Sequence, residues 1–176
     1  MKFKLKDGRV VDVVPLHAGV SVKALQSYIN GIIAENAYIM MNKKATYSEE
    51  KKWKQDSLTG MKKGQKINLI ALSGKRVVAS FDARKGLWKD SCNVSMGASV
   101  AKDFRHGGLG EFMLRTIVKK ARQKFKPKNI YLSVFGPNKP ARTLYEKVGF
   151  RKMAVFPKWI KHEGNYIDQV WMRLKS

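Results

Sequence analysis

The chain of 176 residues is poor in cysteine, histidine and acidic residues, and each shortage argues against a class of protein. Its one cysteine, Cys92, allows no internal disulfide and indicates a reducing compartment, which predicts a cytoplasmic protein. Three scattered histidines offer no cluster of ligands, so we expect no metal site. No apolar run is long enough to cross a membrane, and the first residues alternate charged and apolar side chains, so neither an anchor nor a signal peptide is predicted.

Acidic residues are scarce: the chain has 13 aspartates and glutamates and 36 lysines and arginines, which gives a formal net charge of +23. Such an excess creates a positive field that attracts polyanions. The excess is mostly lysine, which suits diffuse contact with phosphates better than forked recognition of bases. Two interpretations stay open: the charge serves solubility alone, or it binds nucleic acid, ribosomes or an acidic protein.

What is present predicts one globular α+β domain over residues 1–176, because a chain of this length with 44% hydrophobic residues can bury a core. We expect residues 36–48 and 157–164 to be irregular. The predicted elements are a hairpin over 2–15, helices over 21–36 and 46–62, strands over 67–73, 76–83 and 87–100, a helix over 111–126, a strand over 130–135, a helix after Asn138, and strands over 150–156 and 165–174.

The segment from Val100 to Gly110 predicts a strand end, a glycine-rich turn and the start of a helix, an arrangement that binds phosphate groups. It is not a P-loop, because no Lys-Ser/Thr pair follows the glycines. It is not a dinucleotide fingerprint either, because Met113 stands where the third glycine belongs. The pattern that remains is Arg-x-x-Gly-x-Gly, with Arg105, Gly108 and Gly110 in the defined places.

A second motif runs from Asn138 to Phe150 and has the local signals of a short helix. Asn138 is a good N-cap, Pro140 lies in the first turn, and Gly149 is placed to end the helix. Between them, Leu144 and Tyr145 belong to an apolar set that recurs at helical spacing.

In this order, the two motifs resemble the GNAT family of N-acetyltransferases, whose second signature reads N-x-x-A-x-x-L-Y-E-K-x-G-F. The specific similarity covers residues 67–174, and residues 3–16 resemble the amino-terminal hairpin of ribosomal-protein-type acetyltransferases. The resemblance implies a mixed, mostly antiparallel sheet flanked by helices. In that fold two central strands splay apart, here those ending near Val100 and Phe135, and acetyl-CoA lies between them.

The resemblance also implies roles for individual residues. Val100 would pair through its backbone with the pantetheine arm, Asn138 would contact the same arm, and Tyr145 would protonate the departing thiolate. A phenol has a suitable pKa for that proton transfer. The pyrophosphate would be held by Arg105 and by the backbone N–H groups of His106, Gly107, Gly108, Leu109 and Gly110. The side chain of His106 either reaches a phosphate or points to solvent.

The general base is the point at which this sequence departs from the family pattern. Relatives often carry a glutamate on the central strand, where this chain has Ser95, which cannot act as a base near neutral pH. Either ordered water relays the proton, or the base is Glu35, Asp82, Glu163 or Asp168. Asp168 comes first among these, because its strand is expected to border the acceptor site.

The resemblance therefore implies an enzyme that moves an acetyl group from acetyl-CoA to a primary amine by direct attack. The acceptor would be a protein amino terminus, a lysine or a small amine, and the enzyme a monomer or homodimer. Trp159, His162 and Tyr166 either line the acceptor site or pack against their strands. Cys92 has no activating neighbour and is expected to be a buried side chain on a strand. The alternative is a catalytically inactive module of the same fold that binds nucleic acid or ribosomes.

Overall fold

The structure, a computed structural model that describes residues 1–175, is built around one eight-stranded sheet. The strands are β1 (Lys2–Lys4), β2 (Val10–Pro15), β3 (Lys66–Ser73), β4 (Arg76–Lys85), β5 (Asn93–Val100), β6 (Asn129–Phe135), β7 (Phe150–His162) and β8 (Asn165–Leu174). The helices of four or more residues are α1 (Val22–Ala34), α2 (Tyr47–Lys62), α3 (Leu109–Phe125) and α4 (Lys139–Val148).

The strands lie in the order β1-β2-β3-β4-β5-β6-β8-β7, and every neighbouring pair is antiparallel except β5 and β6. This confirms the predicted α+β class with a mixed, mostly antiparallel sheet. The parallel pair occurs where α3 carries the chain from the end of β5 back to the start of β6, as a parallel connection requires. No helix within residues 1–175 is long and apolar enough to span a membrane.

The helices lie on both faces of the sheet, and two contacts define which helix lies on which face. The hydroxyl of Tyr28 on α1 forms a 2.8 Å hydrogen bond with Oγ of Ser99 on β5. On α3, a Cβ added to Gly110 would lie 3.9 Å from Val100 and 3.3 Å from Leu144 of α4. Because side chains of adjacent strand residues point to opposite faces, α1 covers one face of the sheet and α3 with α4 the other.

The helix boundaries follow the capping signals of the sequence. Ser21 caps α1 with its side chain, and Thr46 forms a reciprocal capping box with Glu49 at the start of α2. Asn138 caps α4 with its side-chain oxygen, and Gly149 ends that helix in the left-handed conformation with φ +109°. These are the predicted boundaries, because a cap needs only residues within four positions of one another.

Two predicted boundaries near β5 are wrong. The strand expected from residue 87 begins at Asn93, because Trp88–Asp90 form a short 3-10 turn in which Asp90 accepts a 2.6 Å hydrogen bond from the Asn93 side chain. Cys92 is exposed in this turn rather than buried on a strand. Helix α3 begins at Leu109, before the expected residue 111, because its N-cap Gly108 already turns the backbone with φ +89°.

The stretch 157–164 is not irregular as predicted. Strand β7 continues through it to His162, with its register shifted between Phe156 and Ile160. The hairpin then turns through Glu163 and Gly164, which both have positive φ angles of +49° and +80°. Two consecutive left-handed residues form the tight turn that matches the twist of antiparallel strands. A Pro and several charged residues conceal this strand in the sequence.

The capping box of α2 gives a test of the fold. Replacing Thr46 by Ala removes the side-chain acceptor of the Glu49 amide and should lower the free energy of unfolding by about 1 kcal/mol. Thr59→Ala on the exposed side of the same helix is the matched control, since the Thr59 side chain makes no capping bond. Urea unfolding followed by circular dichroism measures both. Equal losses in the two variants would contradict the assigned cap.

Candidate active site

The centre of the sheet opens where β5 and β6 part. The two strands pair at only three positions, from Asn93 with Asn129 to Ser95 with Tyr131. Beyond that point β5 stays paired with β4 as far as Val100, and β6 stays paired with β8 as far as Phe135. The strands therefore enclose a wedge-shaped opening, called the cleft here, whose facing edges have no strand partner within the described chain. The predicted splay is confirmed.

A row of free backbone donors lies in the loop that follows β5. Within residues 1–175, the amide N–H groups of residues 106–111 have no hydrogen-bond acceptor. His106 and Gly108 have positive φ angles of +63° and +89°, which turns successive amides toward one side. The amino-terminal end of α3 adds its positive dipole to the same place. These six amides, called the cradle here, form a site suited to a phosphate group.

The glycines of the cradle have different reasons to be glycine. A Cβ on Gly107 would lie 2.8 Å from Leu5 of the amino-terminal hairpin, which leaves no room for a side chain. Gly108 has space around it but adopts a left-handed φ that side chains disfavour. Gly110 packs α3 against α4 at Leu144. The hairpin and α4 thus hold the cradle from two sides.

The Arg105 side chain is engaged within the protein. Its Nε donates to the carbonyl of Val100 at 2.9 Å, and its Nη2 lies 2.6 Å from a carboxylate oxygen of Glu35. This contact joins the end of α1 to the end of β5. In this structure the cradle therefore consists of backbone donors, and the carboxylate of Glu35, one of the predicted bases, is held in an ion pair. Arg105 as a pyrophosphate ligand stays a prediction.

Helix α4 places two predicted residues beyond the end of β6. Asn138 uses its side-chain oxygen for the Ala141 amide, so its amide group keeps two free protons. Tyr145 is buried, and burial raises the pKa of its hydroxyl to about 12. Within the described residues this hydroxyl has no hydrogen-bond partner, so it stays protonated at neutral pH and remains available as a donor.

A carboxylate lies on the α1 face of the central strands. Asp82 on β4 faces Gly97 on β5, and a Cβ added to Gly97 would lie 2.7 Å from its Oδ1. The carboxylate pairs with Arg84 at 2.6 Å, and little of its surface reaches solvent. Ser95 and Gly97 lie on the same face of β5. Asp82 therefore occupies the side of the strand on which the family pattern places its glutamate.

A buried amide lies next to this carboxylate. Asn68 on β3 is directly opposite Asp82 in the sheet and is 0% exposed. Neither its side-chain oxygen nor its nitrogen has a partner. Buried polar groups of this kind usually hold ordered water. Asn68 was not among the predicted site residues, although a lone amide within the apolar run of β3 stands out in the sequence.

The remaining acidic candidates lie farther along the sheet. Asp168 is exposed on β8 beside Gly136, and its carboxylate accepts a 3.0 Å hydrogen bond from the Lys158 amide in β7. One of its oxygens thus stabilises the irregular part of β7. Glu163 is exposed in the turn between β7 and β8. Within residues 1–175, no three His, Cys, Asp or Glu side chains come together as a metal site.

Three aromatic side chains meet over the end of β6. Tyr38, from the segment between α1 and α2, lies 4.9 Å from the ring of His162, and both lie 5.8 Å from the ring of Phe135. Trp159 and Tyr166, which were predicted with His162 as possible acceptor residues, are both largely exposed outside this cluster. Tyr38 was not predicted, because its segment has no periodic pattern.

A groove of about 660 Å³ runs between α1 and the end of β5. It is lined in part by Tyr28, Glu35, Arg76 and Asp103. Arg76 pairs with Asp103 at 2.6 Å and Glu35 is held by Arg105, whereas Lys75 and Lys102 line the groove without an ion pair within the described residues. The groove adjoins the α1 face of the cleft.

Solved structures of acetyltransferases share this fold. An acetyltransferase of the GNAT family from Streptococcus pneumoniae superposes with a TM-score of 0.81 at 17% identity, over 93% of this chain and 98% of that one. A ribosomal-protein-alanine N-acetyltransferase from Brucella melitensis gives 0.79 at 18%, over 92% and 98%. A Salmonella typhimurium protein named as an acetyltransferase and solved with acetyl-CoA gives 0.80 at 15%, over 94% and 93%. No curated protein sequence matches the chain.

The family assignment comes from the sequence itself. Residues 35–150, two thirds of the chain, match the model of the Acetyltransferase (GNAT) family. This stretch contains the cradle, both central strands and α4. The comparisons give no support to a catalytically inactive module. The chain belongs to the GNAT family and is an N-acetyltransferase that uses acetyl-CoA.

Proposed function

We propose that this enzyme transfers the acetyl group to a primary amine of a protein, peptide or small molecule by direct attack of the amine on the thioester. The observation that carries the proposal is the cradle at the wide end of the cleft, where six unpaired amides face a strand-shaped opening. A ligand with a pyrophosphate at one end and an extended arm at the other fits both parts.

The backbone of the chain holds the cosubstrate in this proposal. The amides of residues 106–110 bind the pyrophosphate, and the free edges of β5 at Val100 and of the segment at Asn138 bind the pantetheine arm. Backbone donors fixed by a glycine-rich turn need no reorganisation when the anion arrives. Arg105 supports the site by joining Val100 to Glu35, and a direct contact with phosphate requires it to leave that ion pair.

Tyr145 supplies the proton to the departing thiolate. Its hydroxyl is buried on α4, has no partner within the described residues and stays neutral because burial raises its pKa to about 12. Acetyl-CoA, when bound, brings the activated acyl group, and the residues of the chain orient the two reactants. A single positioned donor of this kind contributes about 10²-fold or more to the rate.

The proton of the acceptor amine leaves toward Asp82, and Asn68 lies behind this carboxylate, on the side away from the cleft. The two side chains lie opposite each other on β4 and β3, and the unpaired amide of Asn68 can both donate to and accept from one water molecule. Asp82 faces Gly97 on the α1 face, beside the place of Ser95. Asp168 is the second candidate, because it lies at the end of β6 on the other edge of the cleft.

The acceptor approaches from the α1 face, past the cluster of Tyr38, Phe135 and His162. The likeness to the ribosomal-protein-alanine acetyltransferase from Brucella melitensis supports a protein amino terminus as the first acceptor to test. Peptides with a free amino-terminal alanine, peptides with a lysine as their sole amine, and small amines form the panel. Release of free thiol reports turnover with each.

The cradle predicts a loss of cosubstrate binding on Gly108→Val. The valine side chain is strained at φ +89° and enters the turn that carries the amide donors, so calorimetry should detect no acetyl-CoA binding. The substitution leaves the net charge of the protein unchanged. Gly64→Val is the matched control, because Gly64 also has a left-handed φ, +71°, in an open turn before β3, at the end of the sheet opposite to the cradle. Binding that is equal in the two variants, or that vanishes for the wild type near 0.5 M salt, would assign phosphate capture to surface lysines.

The donor role predicts a split effect of Tyr145→Phe. Removing the hydroxyl should lower kcat about 10²-fold, because the thiolate then leaves without a proton donor, while the acetyl-CoA affinity stays near wild type. Tyr47→Phe, on an exposed tyrosine at the start of α2, controls for the same chemical change. Steady-state kinetics and calorimetry measure the two quantities. Wild-type turnover in Tyr145→Phe would exclude this residue as the donor.

The proton acceptor is tested by three isosteric changes. Asp82→Asn should lower kcat about 10²-fold, while Asp56→Asn, an exposed control on α2, leaves kcat unchanged. Asp168→Asn tests Asp168, the second candidate for the proton acceptor. If it alone lowers kcat, the proton goes to Asp168 and the proposed transfer to Asp82 is wrong.

A further inference from the structure

One half of the sheet has a face that carries aromatic side chains and no helix of the described chain. Helices α1 and α2 pack against β4 and β3. Ser95 of β5 is in register with Tyr131 of β6, so both side chains lie on the face of the sheet that α1 covers. On that face, β6, β8 and β7 lie beyond α1 and α2. Met153 and Trp159 on this half are 54% and 64% exposed.

Four aromatic rings cross this face in continuous contact. Tyr131 on β6 stacks on Trp171 of β8 with centroids 5.5 Å apart and planes within 8°. Trp171 contacts Phe156 of β7 at 6.0 Å, and Phe156 contacts Trp159 at 5.2 Å. This set of Tyr131, Trp171, Phe156 and Trp159 is called the aromatic row here. It spans three strands, and its last ring is largely open to solvent.

A cavity of about 290 Å³ lies at the Tyr131 end of the aromatic row. Apolar walls come from Tyr131, Trp171 and Met153, and the polar lining consists of Asn93, Asn129, Arg173 and one carboxylate, that of Asp90. Flat rings beside amide and guanidinium groups are the surroundings that suit a planar heterocycle with hydrogen-bonding edges.

The polar side of the cavity is held by a chain of hydrogen bonds. Arg173 donates to Asn129 at 3.3 Å, Asn129 donates to Asn93 at 2.7 Å, and Asn93 donates to Asp90 at 2.6 Å. Each amide keeps further donor or acceptor capacity. The groups are therefore fixed in place and still able to bond to a ligand edge.

The charge around the aromatic row selects a polyanion as the occupant. Residues 150–175, which form β7, β8 and the turn between them, hold six basic and two acidic side chains over both faces, within a chain of net charge +23. On the face of the aromatic row, Arg173 is in register with Tyr131, and Arg151 is in register with Arg173. A second copy of the chain would bring a second charge of +23 against this one, and like charges repel. An acidic protein segment would satisfy the charge but would leave the stacked rings and the cavity without a function.

We infer that the aromatic row and its cavity bind single-stranded nucleic acid, with unpaired bases stacked on the rings and phosphates near the surrounding lysines and arginines. Stacking on aromatic side chains within a basic groove is the general physical basis of such binding. The inference is independent of the proposed acceptor and residue roles. Its consequence is that the enzyme meets its acceptor while attached to nucleic acid.

The test is fluorescence anisotropy with a labelled twelve-nucleotide uridine oligomer, the matching deoxyuridine oligomer, and a double-stranded RNA of equal length, at several salt concentrations. We expect both single strands to bind more tightly than the duplex. Trp159→Leu and Trp171→Leu should each weaken single-strand binding about tenfold without changing the salt slope, since stacking is lost and charge is kept. The tighter of the two single strands identifies the sugar.

Tyr47→Leu is the control, because it removes an exposed aromatic ring on α2 at the same net charge. Retained acetyl-CoA affinity in the tryptophan variants shows that they are folded. The inference is overturned if those variants bind single strands as the wild type does, if the duplex binds equally well, or if no oligomer binds at physiological salt. It is also overturned if light scattering shows a dimer that Trp159→Leu converts to a monomer.

Discussion

The structure depends on a short parallel pairing that ends early. Strands β5 and β6 share only three register pairs, and each then continues on its other neighbour, β4 or β8. The sheet is therefore continuous at one end and open at the other. Because the loop before α3 and the cap of α4 follow directly on the two strand ends, both lie at the mouth of the cleft, where the amino-terminal hairpin also contacts the loop. Most of the predicted cosubstrate residues lie in these two connections.

Two kinds of positive electrostatics coexist in this molecule. The cradle is a fixed set of backbone dipoles whose strength does not depend on side chains, whereas the lysine-rich surface is mobile and screened by salt. Several of the few carboxylates near the centre are held by arginines, as in the pairs Arg105–Glu35 and Arg84–Asp82. The carboxylates of both pairs are mostly covered and the arginines remain partly open to solvent, and the pairs hold strands, helices and carboxylates in position.

Several features that depend on residues close in the sequence were predicted correctly, and several features that depend on distant residues were missed. The caps at Ser21, Thr46 and Asn138 were predicted because a capping bond joins residues within four positions. The start of β5 and the continuation of β7 were not, because the hydrogen bonds that decide them come from a turn and from the partner strand β8. Asn68 and Tyr38 were missed for the same reason, since each acquires its meaning only from residues on other elements.

The family, the order of the elements, the phosphate-binding turn and the helix that carries Tyr145 can be read from the amino-acid sequence, because motifs and caps are encoded by residues close in the chain. Three features arise only on folding: which carboxylate faces the central strand, where Arg105 points and which half of the sheet stays uncovered. These depend on strand register and on side-chain pairs more than twenty residues apart along the chain, as Glu35 and Arg105 are, and no local pattern records them.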